Sequence, residues 1–265
     1  MSKKFIAGGC SFTYGHELSD DVNGKYPSKK SWAYGLLPDN NTYICTATPG
    51  SGNSGIARRV FTEISQHSSS SISGVVVMWS FLSRYDWAMP RHRKLEGTRW
   101  ATISPWDIDS MQSDVYDRLS RSAAQQELWK TRNDIMQETG VSPFAEAIYK
   151  HAANEYHETY LSWKSIIWLQ NILEKKKIPF MFTLADNSMF YKEMEQHKDQ
   201  DVFMSALHNE IDFTNWFTFG ERMMGFNQWA SLNGYEYATT HPLDKAHEDA
   251  VKLMKPTFNK LIGGK

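Results

Sequence analysis

With 265 residues, a formal net charge of −1 and only two cysteines, the chain is long enough for one large core and too poor in thiols for a disulfide framework. Lys and Arg number 29 against 30 Asp and Glu, so no basic excess points to nucleic acid or to an anionic membrane surface. The apolar stretch behind the basic start is only Phe5-Ile6-Ala7, too short for a signal sequence, and nothing later approaches a spanning segment. A cytoplasmic protein without cofactor or metal is the expectation. Aromatic residues make up 14% of the chain, with 10 Trp, which suits either a large core or a ring-binding cleft.

In chain order, Lys4–Ala7 reads as a short buried strand breaking into a turn at Gly8-Gly9-Cys10-Ser11. One or two helical turns follow over 31–37. Tyr43–Ala47 reads as a second strand, ended by Pro49-Gly50-Ser51-Gly52-Asn53. Ile56, Val60, Phe61 and Ile64 recur at helical spacing and predict a helix over about 53–67. Gly74–Trp79 is the clearest strand, a continuous apolar, β-branched run. From Ser80 to about Pro105 the periodicity disappears, which predicts a long excursion carrying Arg84, Arg91, Arg93, Lys94 and Arg99 among tryptophans.

Helices are expected over about 110–137 and 143–176, the second with a broad apolar stripe that includes Trp163 and closes on Lys175–Lys177. Trp163 and Trp168 are assigned to the core, and Trp79, Trp87, Trp100 and Trp106 to a substrate mouth. Ile178–Leu184 predicts a fourth strand ending at Asp186. Residues 188–235 read as helix and loop, and a last helix follows His241-Pro242 over about 243–262. Strands alternating with helices argue an α/β domain with a mostly parallel sheet covered on both faces. One domain over 1–265 is expected, with a helical and loop insertion at about 82–145. Ligands in such folds bind beyond the carboxyl ends of the strands, which places Ser11, Gly50–Asn53, Ser80–Arg84 and Asp186 on one rim.

Three blocks on that rim resemble the SGNH (GDSL-type) hydrolases. Gly9-Cys10-Ser11-Phe12-Thr13-Tyr14-Gly15 is similar to the first block, where the family has Gly-Asp-Ser with the nucleophile. Ala47 to Ile56 is similar to the second, whose glycine N–H lines the oxyanion hole. His241-Pro242 is similar to the last block, ahead of the C-terminal helix. The resemblance implies a flavodoxin-like three-layer αβα sandwich and ester or acyl chemistry by a serine nucleophile. It makes Ser11 the nucleophile, His241 the base and Gly50 or Gly52 an oxyanion donor.

Departures from the family pattern leave alternatives open. Cys10 stands for the usual Asp, and no Asn follows Met78 where a third block would lie, so Asn53 or Ser80 is the expected substitute donor. Position 238 is Ala where the family has an Asp three residues before its His, whereas Asp244-Lys245-Ala246-His247 keeps that spacing. Either His241 or His247 therefore qualifies as base, and with His241 a Ser–His dyad results unless a carboxylate comes from elsewhere. Ser80 and Arg84 are expected to touch substrate, with Arg84 holding an anionic group.

No HExxH or cysteine spacing suggests a metal. Gly50–Gly55 fits a phosphate cradle only loosely, without a Gly-Lys-Ser/Thr ending. The expected activity is an esterase or deacylase on a small-molecule or carbohydrate ester. The alternatives are an acyl transferase and a binding module that has lost its chemistry. The oligomeric state is open.

Overall fold

A computed structural model of the chain describes residues 2–22, 24–89, 100–108, 123–190 and 201–263. Arg91, Arg93, Lys94 and Arg99 lie outside the described residues, as does the expected helical start at 110–122.

Among the described residues the central sheet has four parallel strands, β1 (Lys4–Gly8), β2 (Thr42–Cys45), β3 (Ile72–Trp79) and β6 (Phe180–Leu184), in the order β2-β1-β3-β6. A single parallel bridge from Phe182 to Trp216 adds a rudimentary fifth position beyond β6. This is the 2-1-3-4-5 order of flavodoxin-like sheets. The continuous apolar run of β3 follows from burial on both faces. Val75, Val77 and Trp79 turn to one side, where α3 (Asn53–Ser65) and α6 (Glu155–Lys175) supply Ile56, Val60, Ile64, Trp163, Ile166 and Leu169. Val76 and Met78 turn to the other with Phe5 and Ala7, beneath α2 (Trp32–Gly35), α8 (Phe226–Leu232) and α9 (Asp244–Phe258). The molecule is thus helix, sheet, helix in three layers.

The excursion after β3 contains a strand pair. Tyr85–Ala88 (β4) and Trp100–Ile103 (β5) form an antiparallel ribbon. The expectation of an element-free excursion is corrected there. The ribbon and the helices α4 (Ala123–Glu138) and α5 (Val141–His151) share a small apolar cluster of their own, with Tyr85, Ile103, Met136, Val141 and Ile148.

Arg58 on α3 fastens the ribbon to the main body. Its Nε and Nη2 donate to the two carboxylate oxygens of Asp86 at 2.8 and 3.0 Å, and its guanidinium lies 4.5 Å from the Trp100 ring centre. The Asp86 side chain is 1% exposed and that of Arg58 27%. Arg58→Leu therefore strands a buried carboxylate. The expected loss is about 2–3 kcal/mol, below that of a fully buried pair because Arg58 keeps some solvent. Urea unfolding of the variant reads this directly.

Two further expectations need correcting. The helix predicted over 143–176 is two helices, because Asn154 ends the apolar stripe's continuity by capping α6, its side chain accepting the His157 N–H at 2.8 Å. Trp79 is fully buried, edge-on to Phe182, so it belongs to the core and not to a substrate mouth. Trp168 is 41% exposed against Phe61 and lies at the edge of the core it was assigned to. Among the described residues no helix is long and apolar enough to cross a membrane.

Candidate active site

β1 runs into α1 (Ser11–Tyr14), one turn of helix with Cys10 at its N-cap and Gly15 closing it in the left-handed region. Ser11 is the first helical residue, on the rim at the switch point where β2 and β3 leave β1 in opposite directions. Cys10, next to it, is fully buried in the core.

The Ser11 Oγ and His241 Nε2 are 2.7 Å apart. On the other side of the ring, His241 Nδ1 is 2.7 Å from Glu17 Oε2. The tautomer that satisfies both contacts carries its proton on Nδ1, so Nε2 accepts from the serine hydroxyl and Nδ1 donates to the carboxylate. Phe12 packs edge-on to the imidazole at 4.8 Å, and His16 does so from another side at 5.7 Å. His241 is 8% exposed and Ser11 5%, so the pair is screened from bulk water but reachable.

Glu17 is the residue that sequence reasoning missed. It sits six positions after Ser11, in a loop (15–31) shaped by carboxylates. Glu17 holds φ at 69°, unusual for a side chain of its size. Asp21 fixes it by accepting the Glu17 N–H at 2.9 Å and the Gly24 N–H at 2.7 Å. Asp20 accepts from Ser28 Oγ and the Lys29 N–H. Asp244, at the start of α9, accepts from the Ser19 N–H, the Ser19 hydroxyl and Lys30 Nζ at 3.0, 2.6 and 2.7 Å.

The Glu17 carboxylate also accepts the N–H groups of Thr239 and Thr240 at 3.2 and 3.0 Å. Burial pushes this carboxyl up, but the bonds from His241, Thr240 and Thr239 outweigh it and hold it well below the usual range. Glu17 is therefore ionised wherever the protein is folded near neutrality, a fixed negative charge against His241 Nδ1.

Asp244 and His247 do not form a second base pair. Asp244 is committed to Ser19 and Lys30; burial raises its carboxyl, but those bonds bring it down to about 2. The His247 ring is 1% exposed, lies edge-on to Phe226, and accepts the Trp32 N–H on Nδ1 at 3.1 Å. Its burial, with the nearby His241 adding to it, pushes its imidazole down to about 3 despite Asp244.

The other expected site residues divide. The Ser11 and Gly50 N–H groups have no hydrogen-bond acceptor among the described residues. Gly50 adopts φ of 80° in the loop after β2, and a Cβ there would meet open space, as suits backbone left free to face a ligand. Gly52 differs: a Cβ would come within 2.3 Å of the Arg84 carbonyl oxygen, so its lack of a side chain serves packing of one rim loop on the next.

Asn53 and Ser80, expected as oxyanion donor and substrate contact, bond to each other instead. Asn53 Oδ1 accepts the Ser80 N–H at 2.7 Å, and Asn53 Nδ2 donates to the Ser80 carbonyl and to Ser162 Oγ. Both are buried. Arg84, expected to hold an anion, donates from Nη1 to Ser80 Oγ at 2.9 Å and lies 4.7 Å over the Phe81 ring. Among the described residues no group of three or more His, Cys, Asp or Glu is disposed to hold a metal ion.

No protein-family model matches the chain, and no curated protein matches it either. Among solved structures it is similar to a member of the lipolytic protein G-D-S-L family from Veillonella parvula. The identity is 12%, covering 98% of this chain and 100% of that one, with a TM-score of 0.44. A GDSL-like lipase from Bacteroides thetaiotaomicron aligns at 13% identity over 97% of this chain and 88% of its own, with a TM-score of 0.41. An acetyl xylan esterase from the rumen bacterium Butyrivibrio proteoclasticus aligns at 10% identity over 98% of this chain and 64% of its own, with a TM-score of 0.43. These three structures carry the descriptions of a lipolytic protein, a lipase and an esterase.

Proposed function

We propose that the chain is a serine hydrolase that cleaves carboxylic esters through Ser11, His241 and Glu17. The observation that carries this reading is the continuous relay from Ser11 Oγ to His241 Nε2 and from His241 Nδ1 to Glu17, both contacts at 2.7 Å. A hydroxyl is a poor nucleophile until a base takes its proton as the bond forms. His241 stands where that base must stand, and Glu17 compensates the charge the ring then carries.

Ser11 Oγ attacks the ester carbonyl while its proton passes to His241 Nε2. The oxyanion forms facing the free N–H groups of Ser11 and Gly50. The C–O bond to the alcohol breaks as Nε2 returns the proton to the leaving oxygen. Water, deprotonated by the same nitrogen, releases the acid and restores Ser11. A second acceptor alcohol in place of water would give acyl transfer by the same atoms.

The competing reading, a binding module without chemistry, has no use for a buried, charge-compensated Ser–His pair. A fluorophosphonate probe separates the two. The expected result is a single adduct on Ser11, located by peptide mass spectrometry and lost in Ser11→Ala. An unlabelled wild-type protein that also fails to hydrolyse p-nitrophenyl acetate would remove the hydrolase reading.

A further inference from the structure

Arg58 and Arg59 are neighbours on α3 and diverge, as adjacent positions on a helix must. Arg58 is spent on Asp86 in the ribbon. Arg59 turns to the loop that carries Gly50 and makes no ion pair among the described residues. Burial pushes its guanidinium down to about 10, with Asp86 and Arg58 acting on it in opposite directions, so it is charged at neutral pH. A partly buried cation without an ion-pair partner costs desolvation, and the relay of Ser11, His241 and Glu17 does not use this one.

What Arg59 holds is the turn that presents Gly50. Thr48-Pro49-Gly50-Ser51 is a reverse turn closed by the Ser51 N–H on the Thr48 carbonyl at 3.2 Å. Proline at its second position and a glycine with φ of 80° at its third are the type II pattern. Type I and type II turns differ chiefly by a flip of the central peptide, and that flip at Pro49–Gly50 would reverse the direction of the Gly50 N–H. The arm before the turn is stitched to β1: the Thr46 N–H donates to the Ala7 carbonyl at 2.8 Å and the Thr48 N–H to that of Gly9 at 3.3 Å. The arm after it, residues 50–52, makes no backbone bond to the sheet among the described residues.

One planar guanidinium joins the two arms. Its Nε donates to the Thr46 carbonyl at 3.1 Å, and its Nη2 donates to Ser51 Oγ. The Ser51 hydroxyl donates in turn to the Thr48 carbonyl at 2.6 Å. Ser51 is fully buried, whereas Thr48 and Pro49 are exposed, so the turn is anchored from beneath and bare on top. We infer that Arg59 is a positioning residue for catalysis, fixing the type II turn so that the Gly50 N–H stays aimed at the oxyanion. The inference rests on the serine-hydrolase reading, in which Ser11 and Gly50 supply the oxyanion donors.

The test compares p-nitrophenyl acetate with its thiono analogue, in which sulfur replaces the carbonyl oxygen. Sulfur accepts hydrogen bonds weakly, so the preference for the oxygen ester reports on the oxyanion donors. Partial unfolding slows both esters alike and leaves the ratio of their kcat/KM values unmoved. Arg59→Met should lower kcat on the oxygen ester about 10–100-fold, less than outright loss of a donor, with KM little changed. It should lower the oxygen-to-sulfur ratio about tenfold. Arg59→Lys keeps the charge without the fork that spans both arms, so its ratio should fall between. Ser51→Ala removes one acceptor and should lower the ratio by a smaller factor. Arg58→Leu, which loosens the ribbon, should leave the ratio as it is.

A ratio unmoved in Arg59→Met and Ser51→Ala, with Ser11 labelled by fluorophosphonate and the wild type active, would overturn the inference and leave the hydrolase reading standing. An equal fall in Arg58→Leu would also overturn it, since the effect would then come from α3 as a whole. Should Arg59→Met fail to fold, Arg59→Lys and Ser51→Ala read the same ratio. A wild type that takes no fluorophosphonate and cleaves neither ester removes the hydrolase reading, and the role of Arg59 falls with it.

Discussion

Glu17→Gln is expected to lower kcat by about 10²–10⁴-fold while KM changes little, as for other positioning carboxylates of serine triads. An amide presents either an N–H to Nδ1, which forces the wrong tautomer, or a neutral oxygen, which no longer compensates the imidazolium. The loss should fall short of the largest known cases, because the Thr240 hydroxyl lies 2.9 Å from Nδ1 and can partly replace the acceptor. Glu17→Asp keeps the charge but shortens the reach, so it should recover part of the rate. That recovery separates an electrostatic role from a merely structural one. Equal losses in Glu17→Gln and Glu17→Asp, with a lowered unfolding midpoint in both, would reduce Glu17 to a loop-shaping residue. The rate of fluorophosphonate labelling at Ser11 should follow the same order, since it depends on the same proton transfer.

Sequence patterns reveal the frame of this site more fully than its wiring. The strands β1, β3 and β6 are legible because residues buried on both faces of a parallel sheet must be apolar nearly throughout, as Val75–Trp79 and Phe180–Leu184 are. Ser11 and His241-Pro242 are legible because both sit at turns next to such elements. Glu17 was not, for a reason of distance. It meets His241 across 224 positions of sequence, through a loop whose path is set by Asp20, Asp21 and Asp244, and no spacing rule encodes that path. The available signal was the cluster Glu17, Asp20 and Asp21 just after the nucleophile turn, more acid than a simple connector needs.

The β4–β5 ribbon was hidden for another reason. Its two strands are joined by an 11-residue connection, not a tight turn, and its inward Asp86 reads as polar although Arg58 pairs with it. Asn53 misled in the opposite sense. An amide next to the oxyanion loop has the right chemistry for a donor, yet the backbone of Ser80 claims it first, because the buried start of the loop after β3 needs that partner.

The two histidines near the C-terminus should part company completely when replaced. His241→Gln removes the base and is expected to lower kcat by about 10⁴-fold or more, with a smaller effect on the unfolding midpoint because the new amide can still donate to Glu17. His247→Asn should do the reverse. Its amide oxygen can still accept the Trp32 N–H, so Ser11 keeps its partner and activity survives, but the smaller side chain leaves a void beside Phe226 and lowers stability. The pH dependence gives the sharper reading. The folded His247 imidazole sits at about 3, below the ordinary 6.5, so the unfolded chain takes up a proton over a range in which the folded one does not. Stability from the neutral ring is complete above about pH 6.5 and is lost progressively as pH falls toward 3. Wild-type unfolding free energy should therefore decline between pH 7 and pH 4, and His247→Asn should flatten that decline, whereas His241→Gln should lessen it only in part because burial is the larger cause of the His247 shift. An unchanged slope in His247→Asn would show that other groups carry the acid sensitivity. Loss of hydrolysis in His247→Asn at a pH where it is folded would return that residue to the site.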